Sequence, residues 1–351
     1  MPAQRIDINQ FLSLAASHPV LDVRSPGEYG HAHMPGAHSF PLFSDEERKI
    51  VGTTYKQNSR EEAIKVGLDF FGPTMKQRII DAEKITAGQK VVLVHCWRGG
   101  MRSGAIAWLL DLYGFKVYTL AGGYKAYRNW VLEQFKKDYP FILIGGYTGS
   151  GKTELLQAMQ KMGDPVIDLE QLASHKGSAF GNIGQPAQPG QEQFENNLAI
   201  ALHQLNERPN NPSVVWLEDE SQRIGHINIP NDLWHTMRSS TIYFLDIPFE
   251  KRLKHIVEGY GGLDKTALIE AVGRITKKLG HLQAGLAIQF LQEDNFLAAF
   301  EILLRYYDKL YSKSLQNREA LNKLLVTIPA QNTGAENVEL VKTIKNKNHV
   351  S

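Results

Sequence analysis

The sequence has little cysteine and no long apolar run. Cys96 is the only cysteine among 351 residues, which excludes an internal disulfide framework and a zinc site built from several cysteines. No apolar stretch approaches the roughly 20 residues that cross a bilayer. The first ten residues, MPAQRIDINQ, lack the apolar core of a signal peptide. We therefore expect a protein of the reducing cytoplasm with no membrane segment.

Net charge is also small. The chain has 39 Lys and Arg against 37 Asp and Glu, a formal charge of +2. Overall charge therefore does not indicate a nucleic-acid-binding protein, and such a function would have to rest on local clusters. The length favours two or three domains, each able to bury a core.

The single cysteine lies in a segment whose pattern predicts a nucleophile. Val91–Val94 predict a buried strand and Ala105–Leu112 predict a helix, with Cys96 between them. Such a loop directs backbone N–H groups at one point, where the helix dipole favours a thiolate. A lone cysteine is often only structural. Here, however, the flanking residues predict an anion cradle of Arg98, Gly99, Gly100 and Arg102.

Trp97, next to the cysteine, has two interpretations. It is a stacking platform or apolar wall for a base or substrate, or it is a ring packed on the domain surface. Around it, strand and helix patterns alternate. Residues 44–88 are polar and mostly helical, with Gly72-Pro73 as a break, and Lys116–Leu120 predict another strand. These patterns predict an α/β domain over residues 1–135.

This first domain resembles the rhodanese family of sulfurtransferase domains. The matching motifs are LDVRSPGEY, HMPGAHSFP, the cysteine loop after VVLV, and LAGG at 120–123, and they cover about residues 5–130. The resemblance implies that Cys96 carries a persulfide or its selenium analogue, held by loop amides and by Arg98 or Arg102. Many single-domain rhodaneses have this arginine five residues after the cysteine, whereas Arg102 is six after Cys96. The His-Cys-x5-Arg spacing also resembles cysteine phosphatases, so a phosphatase stays an alternative.

The second half opens with FILIGGYTGSGKTELL, which predicts a phosphate-binding loop. Phe141–Ile144 predict a buried strand, and the motif G-x4-G-K-T follows it directly before a helix pattern. The glycines let the backbone approach phosphate oxygens, Lys152 adds charge, and the Thr153 hydroxyl can reach a magnesium ion. The predicted pyrophosphate-binding residues are Gly146, Thr148, Gly149, Ser150, Gly151, Lys152 and Thr153.

Further strand and helix patterns predict a second α/β domain, with a parallel sheet, over residues 136–351. A strand pattern is followed by three carboxylates, Glu218, Asp219 and Glu220, one of which could serve a magnesium ion. Asp219 is the candidate to assist a metal ion, the alternative being a solvated strand end. No metal site is certain. The loop 177–195 is too long for a plain connection, so we expect it to close over a substrate. Its apolar contacts would be Phe180 and Ile183.

The order of the two domains, with the segments SAFGNIGQPAQPGQEQFE and LEDESQRIG, resembles the bacterial tRNA 2-selenouridine synthase family. The resemblance implies a transferase that acts on wobble 2-thiouridine in tRNA. Geranyl diphosphate first alkylates the 2-sulfur, and selenium from selenophosphate then replaces the S-geranyl group. Loop 146–153 would hold the pyrophosphate, with Mg²⁺ as a candidate helper and no tightly bound cofactor. Cys96 would receive selenium as a perselenide or assist its delivery.

A tRNA partner would need basic contacts. The candidates, each of which alone is more typical of an ordinary surface, are Lys136, Lys137, Lys251, Arg252, Lys254, Arg274, Lys277 and Lys278. Two alternatives from other classes remain. One is a phosphatase with a regulatory nucleotide-binding domain, and the other is a non-catalytic RNA-binding protein switched by a nucleotide.

Overall fold

The structure, a computed structural model, describes residues 3–207 and 214–348. The chain divides into two compact units, residues 1–134 with 195–200, and residues 135–194 with 201–351. The parts of the predicted domains at 1–2, 208–213 and 349–351 lie outside the described residues. No helix of the described ranges is long and apolar enough to cross a membrane.

The first unit is an α/β fold around a parallel sheet with the strand order β1-β5-β4-β2-β3. The strands are β1 (Gln4–Ile6), β2 (Val20–Asp22), β3 (His38–Ser39), β4 (Val91–His95) and β5 (Lys116–Leu120). The helices are α1 (Ile8–Ala15), α2 (Pro26–His31), α3 (Asp45–Gln57), α4 (Arg60–Thr86), α5 (Met101–Tyr113) and α6 (Gly123–Gln134). The central strand β4 is a continuous apolar run, as parallel strands covered on both faces usually are.

Helix α4 corrects one expectation. Residues 44–88 are mainly helical, as predicted, but α4 continues through Gly72-Pro73 instead of breaking there. A proline inside a helix removes one backbone N–H and crowds the carbonyl group four residues earlier. The helix buries Phe71 on one side of the proline and Ala82 on the other. Tertiary packing therefore outweighs the local preference.

The second unit is also α/β, and its parallel sheet has the strand order β12-β11-β6-β8-β7. The strands are β6 (Phe141–Gly146), β7 (Val166–Ile167), β8 (Val215–Glu218), β11 (Thr241–Asp246) and β12 (Leu325–Pro329), and a separate antiparallel pair is β9 (Arg223–Ile224) and β10 (Ile227–Asn228). The helices are α7 (Lys152–Lys161), α8 (Leu169–Ala173), α9 (Gln191–Asn206), α10 (Asn231–Arg238), α11 (Phe249–Tyr260), α12 (Lys265–Leu279), α13 (His281–Gln292), α14 (Phe296–Gln316), α15 (Leu321–Leu324) and α16 (Val338–Asn348). Residues 195–200 of α9 are grouped with the first unit.

Two features of this unit position its site. Strands β6, β7 and β8 run parallel, so their carboxyl ends meet at one edge of the sheet, where parallel α/β folds bind ligands. Helices α11 to α14 form a separate apolar cluster that includes Leu253, Leu268, Ala287 and Phe300. The predicted fold class, two α/β units with a parallel sheet in the second, is confirmed.

The core of the second unit gives a first test. Leu143 on β6 is 0% exposed, so Leu143→Ala should lower the free energy of unfolding by about 2–5 kcal/mol through lost apolar contact and a residual cavity. Leu282, on α13, is 74% exposed, and Leu282→Ala should change the free energy of unfolding by less than about 0.5 kcal/mol. Urea unfolding followed by fluorescence, with buried Trp216 on the adjacent strand as one reporter, makes the comparison. Equal effects of the two substitutions would contradict the assigned core.

Candidate active site

The cysteine loop of the first unit joins β4 to α5. Cys96 follows β4 directly and is 3% exposed, and Gly100 is the N-cap of α5. Gly99 has a φ angle of +63°, and a Cβ atom there would lie 2.5 Å from the carbonyl oxygen of Leu120. No larger residue fits at this position. The loop is therefore a tight turn between a strand and a helix, the setting that the sequence predicts.

The thiol of Cys96 lies where a thiolate is stabilised. The Gly100 N–H donates to Sγ at 3.4 Å, and the Ser103 hydroxyl oxygen lies 3.3 Å from Sγ. Burial raises the pKa of this thiol, but the hydrogen bonds from Ser103 and Gly100 and the charge of Arg102 outweigh burial and lower it below the ordinary value. The sequence analysis missed Ser103, because a serine near the start of an apolar helix has no pattern of its own.

The arginine that closes the loop already has a partner. Arg102 donates to the two carboxylate oxygens of Glu28, at 2.6 Å from Nη1 and 3.3 Å from Nη2. Burial raises the pKa of Glu28, but Arg102, the Ser25 N–H and Arg48 lower it to about 2. Arg98, by contrast, is exposed. The charge of Arg102 acts on the thiol, and anion binding by the cradle stays a prediction.

Trp97 lines a pocket beside the cysteine loop. Its side chain is 38% exposed, and its ring centroid lies 5.7 Å from that of Tyr124. The pocket has a volume of about 320 Å³ and is also lined by Arg24, Glu28 and Arg48. An exposed flat ring beside charged side chains suits a base or substrate that stacks. That contact stays a prediction.

A buried charge pair stands at the carboxyl end of β2, next to the cysteine strand. Arg24 Nε donates to Asp22 at 2.9 Å, and the Arg24 guanidinium lies 3.7 Å from the centroid of the Tyr124 ring. The Tyr124 N–H donates to the Cys96 carbonyl oxygen at 2.8 Å, so the pair supports the loop through this tyrosine. His95, which pairs in register with Asp22, is fully buried, and burial lowers its pKa, which keeps the ring neutral at pH 7.

The phosphate loop of the second unit, residues 146–153, joins β6 to α7. Gly149 and Gly151 have φ angles of +81° and +73°. A Cβ atom at Gly151 would lie 2.2 Å from the Gly334 nitrogen, and one at Gly149 would lie 2.8 Å from the carbonyl oxygen of Arg252. The backbone path therefore requires both glycines, as the motif predicts. Binding of a pyrophosphate there stays a prediction.

Lys152 and Thr153 face a cluster of three carboxylates, the glutamate cluster of Glu170, Glu218 and Glu220. Lys152 Nζ lies 3.6 Å from a Glu218 oxygen, and the Thr153 hydroxyl donates to Glu170 at 3.1 Å. One oxygen from each glutamate lies within 4.8 Å of the other two. The glutamate cluster thus lies next to the charged end of the phosphate loop.

The electrostatics of the glutamate cluster are unbalanced. Burial first, and mutual repulsion second, raise the pKa of Glu170 and of Glu218 to about 8 and that of Glu220 to about 7. Burial lowers the pKa of Lys152, but the charges of Glu218, Glu220 and Glu170 raise it above the ordinary value. One ammonium group therefore balances only part of the charge that these carboxylates carry when ionised.

This donor set fits a magnesium ion. Carboxylate oxygens and the Thr153 hydroxyl are hard oxygen ligands of the kind that Mg²⁺ prefers. A divalent cation would also relieve the repulsion that raises the glutamate pKa values. Of the described residues, Glu170, Glu218 and Glu220 are the group that could hold such an ion.

The metal-assisting role predicted for Asp219 needs correction. Its two carboxylate oxygens accept hydrogen bonds from the Tyr311 hydroxyl and from Arg318 Nη2, both at 2.7 Å. The Tyr311 hydroxyl in turn accepts from the Gly146 N–H at 3.3 Å. Asp219 therefore holds the start of the phosphate loop in place. Strand β8 ends at Glu218, and beyond it the Glu220 N–H donates to the Glu218 carbonyl oxygen at 2.9 Å. The chain turns here, so sequence position alone did not show which of these carboxylates faces Lys152 and Thr153.

The sequence analysis also missed Glu170. It lies at the start of α8, just after β7, and β7 pairs with β8. A signal was present, because carboxylates that follow neighbouring parallel strands meet at the same edge of the sheet. Finding Glu170 from sequence required the strand order, which the patterns alone do not give.

The structure places Phe180, a predicted substrate contact, in the apolar interior and not on a surface. The side chain is 4% exposed and packs edge-on against Tyr260 and Tyr307, within the apolar cluster of the helical segment. The loop is shorter than predicted, because α9 begins at Gln191. Its first part is held by the Ala179 N–H, which donates to the Tyr307 hydroxyl at 3.3 Å. This part of the loop packs against the helices, so the Phe180 side chain is not accessible to a substrate in this structure.

Arg252 also departs from its predicted role as a contact for nucleic acid. It is 3% exposed, and its Nη atoms donate to the two carboxylate oxygens of Asp308 at 2.9 and 2.8 Å. Nη1 also donates to the Thr148 carbonyl oxygen at 3.0 Å, which braces the phosphate loop. Ser150 is fully buried within that loop, so its hydroxyl faces the loop interior rather than solvent.

Two family models match the chain. The tRNA 2-selenouridine synthase AAA domain matches residues 139–327, which is more than half of the chain. The rhodanese-like domain matches residues 7–130. The predicted rhodanese resemblance of the first half is therefore confirmed, and the two matches follow one another in the predicted order.

Curated relatives are similar over much of the chain. The tRNA 2-selenouridine synthase of Nitrosomonas europaea is 39% identical over 251 residues, 70% of this chain and 64% of the relative, so this alignment spans less than two thirds of it. That of Shewanella denitrificans is 34% identical over 353 residues, 91% of this chain and 94% of the relative. One solved structure, the N-terminal domain of a putative ATP/GTP binding protein from Clostridium difficile 630, is 41% identical, with a TM-score of 0.35, and covers 37% of this chain and 99% of its own. The AAA-domain match and these relatives show that the chain belongs to the tRNA 2-selenouridine synthase family.

Proposed function

We propose that this chain replaces the 2-sulfur of 2-thiouridine in tRNA by selenium, through an S-geranyl intermediate. Membership of the family supports a tRNA-modifying synthase. The observation that carries the proposal is the pairing, in one chain, of a thiol of lowered pKa, Cys96, with a phosphate loop beside a glutamate cluster. The first suits selenium delivery and the second suits a pyrophosphate leaving group.

The phosphate loop supports the first step, transfer of the geranyl group. The 2-sulfur of the base attacks C1 of geranyl diphosphate, the C1–O bond breaks, and pyrophosphate leaves with the electron pair. Lys152 and the N–H groups of the loop stabilise the negative charge that grows on the pyrophosphate. The Arg252 and Tyr311 contacts keep the loop in shape for this anion.

A magnesium ion held by Glu170, Glu218 and Glu220 would supply Lewis-acid stabilisation of the leaving pyrophosphate. The chain's own residues prepare that position. Thr153 adds a hydroxyl to the carboxylate set, and Lys152 keeps its charge because the glutamates raise its pKa.

Cys96 supports the second step, delivery of selenium. Selenium in selenophosphate is already at the selenide level, so forming a perselenide on Cys96 would require an oxidant. Assistance in delivery requires none. The thiolate attacks the phosphorus atom, the P–Se bond breaks, and selenium leaves with the electron pair as a nucleophile. It attacks C2 of the base, geranyl thiolate leaves, and water releases phosphate from the cysteine.

The spacing of the cysteine loop supports this role. Arg102 is six residues after Cys96, the spacing that phosphatases use for a tetrahedral phosphate. The pairing of Arg102 with Glu28 orients the guanidinium before an anion arrives. The single free thiol suits the reducing cytoplasm, where we place this activity.

The two steps can be separated by substitution. Incubated with tRNA bearing 2-thiouridine, geranyl diphosphate and selenophosphate, Cys96→Ala should make the geranylated base but no 2-selenouridine. Lys152→Ala should slow geranyl transfer by about 10²-fold or more, because one cation at the leaving group is lost. Lys161→Ala, at the exposed end of the same helix, is the matched control and should react like wild type. Mass spectrometry of the digested tRNA measures all three.

One result would favour the phosphatase alternative instead. In that case wild type leaves the tRNA unchanged and releases phosphate from an aryl phosphate, and Cys96→Ala abolishes this release.

The lowered pKa of Cys96 can be measured directly because the chain has one cysteine. Ser103→Ala should raise the pKa of the thiol, since it removes the hydrogen bond that lowers it most. Thiolate absorbance near 240 nm, followed against pH with Cys96→Ser subtracted, gives the midpoint. Ser13→Ala, on the exposed face of α1, is the control and should leave the midpoint unchanged. An unchanged midpoint in Ser103→Ala would refute the assigned hydrogen bond.

The glutamate cluster predicts a pH-dependent stability. The folded pKa values of about 8 and 7 lie above the ordinary glutamate pKa of 4.5, so the folded state binds more protons between these limits. Without metal, the free energy of unfolding should therefore fall as pH rises from about 5 to 8. Glu218→Gln should reduce this fall, and Mg²⁺ should stabilise wild type more at pH 8 than at pH 6. Urea unfolding measures both effects, with Glu270→Gln on α12 as control. If the free energy of unfolding fell equally in Glu218→Gln and in wild type, the glutamate cluster would not be the cause of the pH dependence.

A further inference from the structure

A large open groove lies on the helical part of the second unit, between α12, α13 and α14. We name it the α12–α14 groove. It has a volume of about 1140 Å³, and its apolar part includes Phe290, Ile302 and Leu310. Its basic side chains, among the residues that the structure describes, are Lys278, Arg305, Lys309 and Lys313. None of these residues belongs to the phosphate loop, the glutamate cluster or the cysteine loop.

The cations of α14 form one stripe along the groove. Arg305, Lys309 and Lys313 are each four residues apart, so they lie on one side of the helix at intervals of about 6 Å along its axis. Like charges at this spacing destabilise a helix. The repulsion between neighbouring cations of the stripe therefore does not favour the helix by itself.

The acidic residues nearby, including Glu301 in the groove lining, neutralise only part of this stripe. Glu301 pairs with Arg305 at 2.8 Å, and Asp308 is engaged by the buried Arg252. Across residues 3–207 and 214–348, neither Lys309 nor Lys313 has a carboxylate within 4.0 Å. Both lysines are exposed. They present positive charge to an anionic partner.

The α12–α14 groove is also connected to the phosphate loop of the same unit. Ser312 lines the groove, and its hydroxyl donates to the Tyr147 hydroxyl at 3.2 Å. Tyr147 is the second residue of the loop 146–153. A polymer lying in the groove would therefore pass close to the loop that we propose for geranyl transfer.

We propose that the α12–α14 groove binds the phosphate backbone of the tRNA substrate, through Lys278, Arg305, Lys309 and Lys313. This inference rests on the proposed function, because that function supplies tRNA as the polyanion. Of these four residues, the sequence analysis named only Lys278. The half-buried ring of Tyr306, which also lines the groove, offers a surface on which an unstacked base can lie.

Size and charge favour a nucleic-acid backbone over the geranyl chain as occupant. Pockets for small molecules measure about 300–1,000 Å³ and enclose most of their ligand. The α12–α14 groove exceeds that range and is open. A geranyl chain has no charge to pair with the lysines of the groove, whereas a polynucleotide has one phosphate for each nucleotide.

Phosphate contacts have a signature that separates them from base contacts. They depend strongly on salt and carry no sequence information. Each phosphate contact that is lost should reduce the slope of log K against log salt by roughly 0.7 to 0.9. The loss should be the same for a thiolated and an unmodified tRNA.

The test uses the full chain and two double variants that remove the same charge. Lys309→Gln with Lys313→Gln removes the two lysines of the stripe, and Lys161→Gln with Lys347→Gln removes two exposed lysines of the same unit outside the groove. Fluorescence anisotropy with a fluorescein-labelled tRNA transcript gives the Kd at several salt concentrations. The groove variant should bind several-fold more weakly with a salt slope smaller by about 1.5, and the control variant should keep the wild-type slope.

Thermal unfolding of the same samples separates a binding effect from a folding defect. Removing like charges at i, i+4 spacing should leave the unfolding midpoint of the groove variant unchanged or higher. Equal Kd values and slopes for the groove variant and wild type would overturn the proposal. So would wild-type tRNA binding together with a raised KM for geranyl diphosphate, because that result assigns the groove to the geranyl chain.

The two experiments distinguish failure of the proposed function from failure of the groove proposal. If wild type converts 2-thiouridine in tRNA and the groove variant binds tRNA normally, the groove proposal fails and the function stands. If the groove variant loses tRNA affinity and wild type makes no geranylated or selenium-containing base, the function fails and the groove stands.

Discussion

A mostly buried ammonium group, that of Lys152, holds the phosphate loop and the glutamate cluster together. It donates to the Gly146 carbonyl oxygen at 3.2 Å and lies 3.6 Å from Glu218. Without it, the three carboxylates would face one another with no counter-charge, at a cost that grows steeply with burial. The same balance limits what the loop accepts. A pyrophosphate brings more negative charge to a region that is already acidic, so it is expected to bind together with a cation.

The two loops of the chain use one structural device with different chemistry. Each follows a strand of a parallel sheet and ends at a helix N-terminus, where N–H groups favour an anion. In each loop the cation also pairs with a carboxylate of the chain: Arg102 pairs with Glu28, and Lys152 pairs with Glu218. An incoming anion must therefore compete with an internal one. This arrangement keeps the cations oriented while it disfavours ordinary anions that bring no further interaction.

Sequence patterns predicted the parts of the fold and site that depend on local chemistry. The glycines of both loops have backbone paths that only glycine fits, so motif and structure agree at Gly99 and Gly151. The predictions failed at residues whose contacts are made with parts of the chain far away in sequence. Asp219 is engaged by Arg318, 99 residues away. Phe180 is covered by aromatic residues of α11 and α14, and Pro73 stays inside a helix that packing holds. Strand order and packing partners are properties of the whole chain, which local patterns do not specify.

A nearly neutral chain can still bind a polyanion if its acids are engaged elsewhere. On α14, Asp308 is tied to Arg252 and Glu301 to Arg305, which leaves Lys309 and Lys313 to face solvent. Contacts of this kind supply affinity without reading sequence. Under the proposed function, selection of the substrate would then come from the base that reacts, because the geranyl step that we propose requires a nucleophilic sulfur. Separating affinity from selection in this way would let one surface serve every tRNA that carries the thiolated base.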